Sequence, residues 1–486
     1  MNITAIKTMT LMLVFGLSVE AHAQSLSLEQ VLQRSVDHQI SLKIARMQQQ
    51  RAALEADKIQ SMLGWNIGAG SGYNHDVGFT GAPADKVTVS ANANRMLANG
   101  DSLSARGQIA YEDSEFAFTG FPNPNLTSQW TASYRKPLWQ GKANPAYAQG
   151  LKSAAASDSI AQHQIRVTRD QIASQVVDLY FNLISTNKQI ANLKSGQKRT
   201  QRLLDYIKGN EKLGLAEARD ILQATAQLRS LRAETKAIQV SRQRLVTGLN
   251  RLMGRNLDAV IEPEFQYQVI NGSNTAALTE MATAYDPRIQ IRQAQIDLAQ
   301  AAIERGRDQR KNKLDTLFSL GLRTSNGDAT AFDNSVTSVS EQDWAGAVSV
   351  EYQRSMDTRG KDAVIQQAML DKDIALQEIK SIQEIIQYDV EGLLSERDVT
   401  EAALNAYKDR LTSEKAKLKE GEQRYRKGRA DTQQLILFEN DLNTAQLMVT
   451  QQQIEQTRNQ ARLSLLTGQV WQNIKSLQEQ GGGKPE

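Results

Sequence analysis

Hydrophobic and polar positions along this chain follow two alternating periods. Residues 25–61 read as helix, with Ser27 placed as N-cap and Leu28, Val31, Leu32 and Val36 spaced for one face. The period then drops to two. In 65–74, Trp65, Ile67, Ala69, Ser71 and Tyr73 alternate with Asn66, Gly68, Gly70, Gly72 and Asn74. The same alternation runs through 87–94, 102–111 and 126–135, with the hairpin dipeptide Asn99-Gly100 between the second and third segments. From Ala146 to about Lys212 the pattern is helical again, a stretch of ~100 Å at ~1.5 Å per residue. Lys212-Leu213-Gly214-Leu215 breaks it, and a second helix reaches about Met253. The cycle recurs as a helix over 276–313, strands at 316–324 and 344–352, a helix over 361–426, a break at Lys427-Gly428-Arg429 and a helix to about 466.

The recurrence keeps register. Gly214 and Gly428 are 214 residues apart, as are Gly254 and Gly468, which predicts an internal duplication. Val36–Ile44 matches Thr283–Ile291 at an offset of 247, so about 33 further residues sit in the first β-region, near a hairpin at 86–113. The expected organisation is a signal peptide over 1–23, a first repeat over 24–254 with strands within about 62–139 and a tip at 212–216, and a linker over 255–275. A second repeat follows over 276–468, with strands within about 314–353 and a tip at 427–430, then a tail over 469–486.

Aromatic residues collect on or beside the strands: Trp65, Tyr73, Trp130, Tyr134, Trp139, Trp344 and Tyr352. An apolar face carrying aromatics and a second face of Gly, Ser and Asn suit the wall of a membrane barrel with two girdles; a soluble sandwich with an aromatic core is the alternative. The strands are too few to close a barrel from one chain, and an open sheet edge is not tolerated in lipid, so a barrel requires several subunits. Each copy would then contribute four strands, or six if the hairpin at 86–113 joins the wall.

Composition sharpens this. The 57 Lys and Arg nearly balance 54 Asp and Glu, which argues against a nucleic-acid binder relying on bulk charge. No apolar run approaches the ~18 residues of a spanning helix. Lys7, the apolar run Leu11–Leu17 and Ala21-His22-Ala23 form an export signal with cleavage before Gln24; a buried first helix is the competing reading. There is no Cys, which removes disulfides, thiolate nucleophiles and Cys-ligated zinc. Walker, zincin and nucleophile-elbow motifs are missing, and His38, His75 and His163 lie far apart, so no catalytic, metal or cofactor site is expected. The basic cluster Arg305, Arg307, Arg310, Lys311 and Lys313 reads as a solvated helix end, with lipid headgroups or a pore as alternative neighbours.

Helix, strands, very long helix, tip and return helix, twice over, resemble the TolC-like outer membrane efflux proteins. Lys136-Pro137-Leu138-Trp139-Gln140-Gly141, Lys212-Leu213-Gly214-Leu215-Ala216 with Asp220, and Arg424-Tyr425-Arg426-Lys427-Gly428 carry the likeness over about 25–470. It implies a mostly α protein with a membrane β-barrel: a homotrimer in the outer membrane of a Gram-negative bacterium, its barrel continued by a coiled-coil tunnel across the periplasm. It further implies an exit duct for tripartite efflux or type I secretion, with a periplasmic adaptor and an inner-membrane ABC or RND-type pump as partners. A periplasm-spanning structural protein without transport is the alternative. Adaptor docking is expected at Leu213, Gly214, Leu215, Ala216, Lys427, Gly428, Arg429 and Ala430, and a gate at Asp220, Tyr425, Gln434 and Leu437. Three departures stand out: Leu63-Gly64-Trp65 lacks the usual Pro, a hairpin is added, and Gln434 and Leu437 replace the two Asp that ring the closed end in well-known relatives. The sequence selects no cargo.

Overall fold

The computed structural model describes residues 25–77, 83–114, 123–212, 217–265, 274–326 and 343–481. The chain divides into two compact units, one from residues up to Gln39, Asp170–Leu278 and Val390 onward, the other from Ile40–Arg169 and Thr279–Asp389.

The first unit is helical around a short parallel pair, β1 (Ser25–Leu26) with β6 (Glu262–Pro263). Helix α1 (Leu28–His38) starts at the expected Ser27, whose hydroxyl accepts from Gln30 N at 3.3 Å while the Gln30 side chain accepts from Ser27 N. The helix expected over 25–61 is instead broken: Gln39 is extended and α2 (Ile40–Ser61) begins beyond it, with no Gly or Pro to mark the place. Helix α3 (Pro145–Glu211) enters this unit with a covered stripe of Ala173, Val176, Val177, Tyr180, Leu183 and Ile184 at steps of three and four. Each fully buried large side chain contributes ~1.5–3 kcal/mol. The Tyr180 hydroxyl lies between the carbonyls of Leu26, at 2.8 Å, and Glu264, at 2.7 Å, pinning α3 to the short sheet. Helix α4 (Ala218–Met253) ends at Gly254 with φ +64, where a Cβ would also strike the His38 ring. The far part of α7 (Arg359–Arg426), helix α8 (Thr432–Leu466) and α9 (Gln469–Gly481) complete the unit; the tail expected beyond 468 thus begins as a helix, held by Trp471 Nε1–H donating to Asp170 at 2.9 Å.

The second unit is built on one six-stranded antiparallel sheet. It contains β2 (Asn66–Val77), β3 (Pro83–Met96), β4 (Ser102–Ser114), β5 (Asn125–Pro137), β7 (Lys313–Asn326) and β8 (Asp343–Gln353), hydrogen-bonded in that order. The additional hairpin joins the sheet, since β3 pairs with β2 and β4 pairs with β5. The helix expected over 276–313 is two: α5 (Thr275–Tyr285) and α6 (Pro287–Arg310). Pro287 has no N–H to continue α5 and holds Asp286 extended, and Asp286 then caps α6 by accepting from Arg288 N at 2.8 Å. Along α7, Ile382, Ile386, Val390 and Leu394 are buried at steps of four. Among the described residues no helix is long and apolar enough to cross a membrane.

Candidate functional site

Register makes the sheet two-faced. One face carries the rows Arg95–Leu103–Tyr134–Phe318–Val348, Ile67–Ala93–Ala105–Ala132–Leu320–Gly346 and Ala69–Ala91–Gly107–Trp130–Leu322–Trp344, then Ser71–Val89–Ile109–Ser128–Thr324, with Trp65 just before β2 beneath Arg95. The row beyond is Tyr73–Val87–Tyr111–Leu126, followed by His75–Asp85–Asp113, where the apolar band ends. From Trp65 to Tyr73 that band measures ~27 Å along the strand at ~3.3 Å per residue. The other face carries Gly68–Asn92–Arg106–Thr131–Gly321 and Gly70–Ser90–Gln108–Gln129–Arg323, small and polar throughout. Large apolar side chains of the first face stand exposed, Ile67 at 76%, Leu320 at 53%, Trp344 at 73% and Val348 at 69%, whereas Leu126 and Ser128 on it are buried. Among the described residues β2 pairs with β3 and β8 with β7, and the outer edges of β2 and β8 are unpaired.

The seven aromatics fall at distinct levels. Tyr73 lies near the polar limit of the band, and Trp130 and Trp344 share an inner row. Trp65, Tyr134, Trp139 and Tyr352 gather at the end that joins the helices, where Arg95 stacks 5.8 Å over Trp65 and Trp139 meets Tyr352 edge-on at 6.1 Å. Gly107 is required beneath Trp130, because a Cβ there would lie 2.4 Å from the indole.

Of the two expected tips, Leu213, Gly214, Leu215 and Ala216 fall outside the described residues. At the other, Gly428 adopts φ +66, and Gly428 N and Arg429 N donate to the carbonyls of Tyr425 and Arg424, both at 2.9 Å. These bonds close α7 in the left-handed manner that favours glycine. Lys427, Gly428 and Arg429 are exposed and Ala430 is half-buried. The gate residues are not all brought together. The Tyr425 hydroxyl is bonded to Thr432 Oγ1 at 3.0 Å rather than to Asp220, whose carboxylate accepts from Glu217 N at 3.4 Å inside the first turn of α4. Burial raises the Tyr425 pKa, and nearby Asp220 adds to the rise. Tyr425 packs against both Leu204–Ile207–Ala224–Leu228 and Leu418–Leu435–Leu442. Gln434 and Leu437 are exposed on α8.

One arrangement had no local signal. Arg199 of α3 donates to the buried Glu439 of α8 at 2.6 Å and also to Asn443, whose backbone carbonyl accepts from Asn192 at 2.9 Å. Burial pushes the Glu439 carboxyl above its ordinary value, and Arg199 opposes the shift. Gly196 makes the approach possible, as a Cβ there would lie 2.9 Å from the Asn443 amide.

No protein-family profile matches this chain, and no curated protein is similar to it in sequence. Solved structures do match. The outer membrane protein VceC of Vibrio cholerae is 14% identical over 91% of this chain and 96% of its own, with a TM-score of 0.67. The outer-membrane channel OprN is 15% identical over 91% and 89%, with a TM-score of 0.68. The CmeC outer membrane channel of Campylobacter jejuni is 15% identical over 92% and 88%, at 0.66. The fold is that of the outer-membrane channels. In this channel fold the two-faced sheet and the helix turns are the places to look for function.

Proposed function

We propose that the chain is one subunit of a homotrimeric outer-membrane channel, the exit duct of a tripartite efflux or type I secretion system. The observation that carries this reading is the six-stranded sheet with large exposed apolar side chains on one face, a small or polar opposite face and two edge strands, β2 and β8. Six antiparallel strands give an even number, so the β8 edge of one copy accepts the β2 edge of the next with the alternation kept, and three copies close eighteen strands. The single chain also leaves Ile40, Ile44, Met47 and Leu54 of α2 and Leu370, Ile374 and Tyr388 of α7 exposed, near-helical stripes suited to neighbouring copies. The two halves descend from one duplicated unit, with a signal peptide before Gln24 and a linker between the repeats.

The turns about Gly214 and Gly428 receive a periplasmic adaptor, which connects the duct to an inner-membrane ABC or RND-type pump. Tyr425, wedged between two apolar clusters, holds the adjacent helix ends shut, with Asp220 next to it. The deciding experiment is mass measurement in mild detergent together with single-channel recording. A conducting trimer is expected; a monomer without conductance refutes the reading. Leu215→Asp is expected to abolish adaptor crosslinking while the trimer persists.

A further inference from the structure

Where the sheet meets the helices, the loop after β5 is held on several sides. Leu138 N donates to Leu314 O at 2.8 Å, Gly141 N to the Asp308 carboxylate at 2.9 Å, and Ala143 N to Asn99 O at 3.0 Å. Buried Asn144 reaches Leu97 O at 3.2 Å. These bonds keep Ala143 and Asn144 at φ +61 and +46, conformations that non-glycine residues adopt only where their surroundings over-determine them. The result is a fixed cleft of about 570 Å³ lined by Leu138, Trp139, Lys142, Ala143, Lys311 and Asn312.

The donors around it are one-sided. Among the described residues the Lys142 ammonium and the Trp139 indole N–H meet no hydrogen-bond or ion-pair partner, and both side chains are exposed. Lys311, 55% exposed, is shared with Asp308 at 3.1 Å. Asn312 donates to the Tyr352 hydroxyl at 3.3 Å, and Tyr352 meets Trp139 edge-on. Lys136 stands on the apolar face one row above, beside Thr316 and Val350. Leu138 and Trp139 therefore offer apolar surface continuous with the uncovered band, and immediately below it stand cations and an indole donor. An acyl chain along the band places its phosphodiester among those donors.

We propose that this cleft binds the phosphate of an anionic phospholipid of the periplasmic leaflet, through Lys142, Lys311 and the Trp139 N–H. This rests on the outer-membrane reading above. The shared chemistry is phosphate, and the lipid is the source favoured by the adjoining apolar surface.

Native mass spectrometry of the detergent-extracted protein, titrated with phosphatidylglycerol, diacylglycerol or inorganic phosphate, tests it. Each lysine at a membrane surface is worth about fivefold in affinity, so Lys142→Gln with Lys311→Gln is expected to weaken phosphatidylglycerol binding about twenty-fivefold. Lys142→Arg with Lys311→Arg should retain it. Diacylglycerol should bind both Gln pair and wild type equally weakly, and phosphate alone should bind neither. Undiminished phosphatidylglycerol binding by the Gln pair overturns the site, and inorganic phosphate binding as tightly as the lipid overturns the lipid assignment. Vesicle flotation and channel current separate the two readings. If the Gln pair floats and conducts like wild type while its lipid binding is unchanged, only the cleft is refuted. If wild type itself neither floats nor conducts, the channel reading falls and the cleft with it.

Discussion

The sheet and the helical unit invert each other's logic. In α3, the side chains that are covered are Val176, Tyr180 and Leu183; in β7 and β8, the large apolar side chains Leu320, Trp344 and Val348 are the uncovered ones. The helices hide their apolar stripe from water, whereas the sheet turns its small and polar face to one side and presents hydrocarbon on the other. Such a sheet is stable only in surroundings that are themselves apolar on one side. The difference teaches that burial within one chain is a measure of its solvent as much as of its core.

The sharpest way to break the comparison is to charge both kinds of position. Breaking the buried Arg199–Glu439 pair on the helical side by Arg199→Met is expected to cost about 3–5 kcal/mol, read as a lowered chemical-denaturation midpoint by circular dichroism. On the sheet, Leu320→Arg is expected to cost about 2–4 kcal/mol in bilayers and almost nothing in a water-soluble fold. A variant that assembles in vesicles as well as wild type would place that face in water.

Acid distinguishes the regions further. Burial raises the Glu439 pKa in the folded chain, so its contribution to stability is fully present below the ordinary carboxyl value and is lost as pH rises through the raised one. The gap in melting temperature between wild type and Glu439→Gln should therefore narrow as pH rises above the ordinary carboxyl value of about 4.3; a constant gap refutes the buried-carboxylate account. Tyr425→Phe removes a single neutral hydrogen bond to Thr432, worth about 0.5–1.5 kcal/mol, and should raise open probability in planar bilayers while leaving the trimer intact. The smallest effect expected is none at all. With Gln434 and Leu437 at the positions of the relatives' Asp pair, divalent cations added from the periplasmic side should leave conductance unchanged, and a block would point to another carboxylate ring.

The strands were legible because period two needs no distant information: Trp65 through Tyr73 alternate, and their rows follow once neighbours pair. Helix extents were legible because prolines are scarce and the turns carry glycine. What escaped is what depends on long-range partners. The break at Gln39 has no local residue to announce it. Asp286-Pro287 was visible in the sequence but was outweighed by the surrounding periodicity. Arg199 and Glu439 are separated by 240 positions, so nothing near either foretold the other. Asp220 and Tyr425 were both placed at the gate by resemblance, and within the chain each hydrogen-bonds locally, Asp220 to Glu217 N in the first turn of its helix and Tyr425 to Thr432 across the second turn.

Alternation along six strands means that the first and last run in opposite directions, so each copy offers two edges, each with both N–H and C=O groups, that can pair antiparallel with the next copy. Taken alone, such an element has no reason to stop adding copies: its hydrogen bonds would serve a ribbon of any length as well as a ring. The count must then be imposed by something other than the backbone ladder, and the exposed stripes on α2 and α7 are the parts of the chain equipped to impose it. Shortening those helices while sparing the strands should accordingly yield assemblies of mixed size rather than unfolded protein.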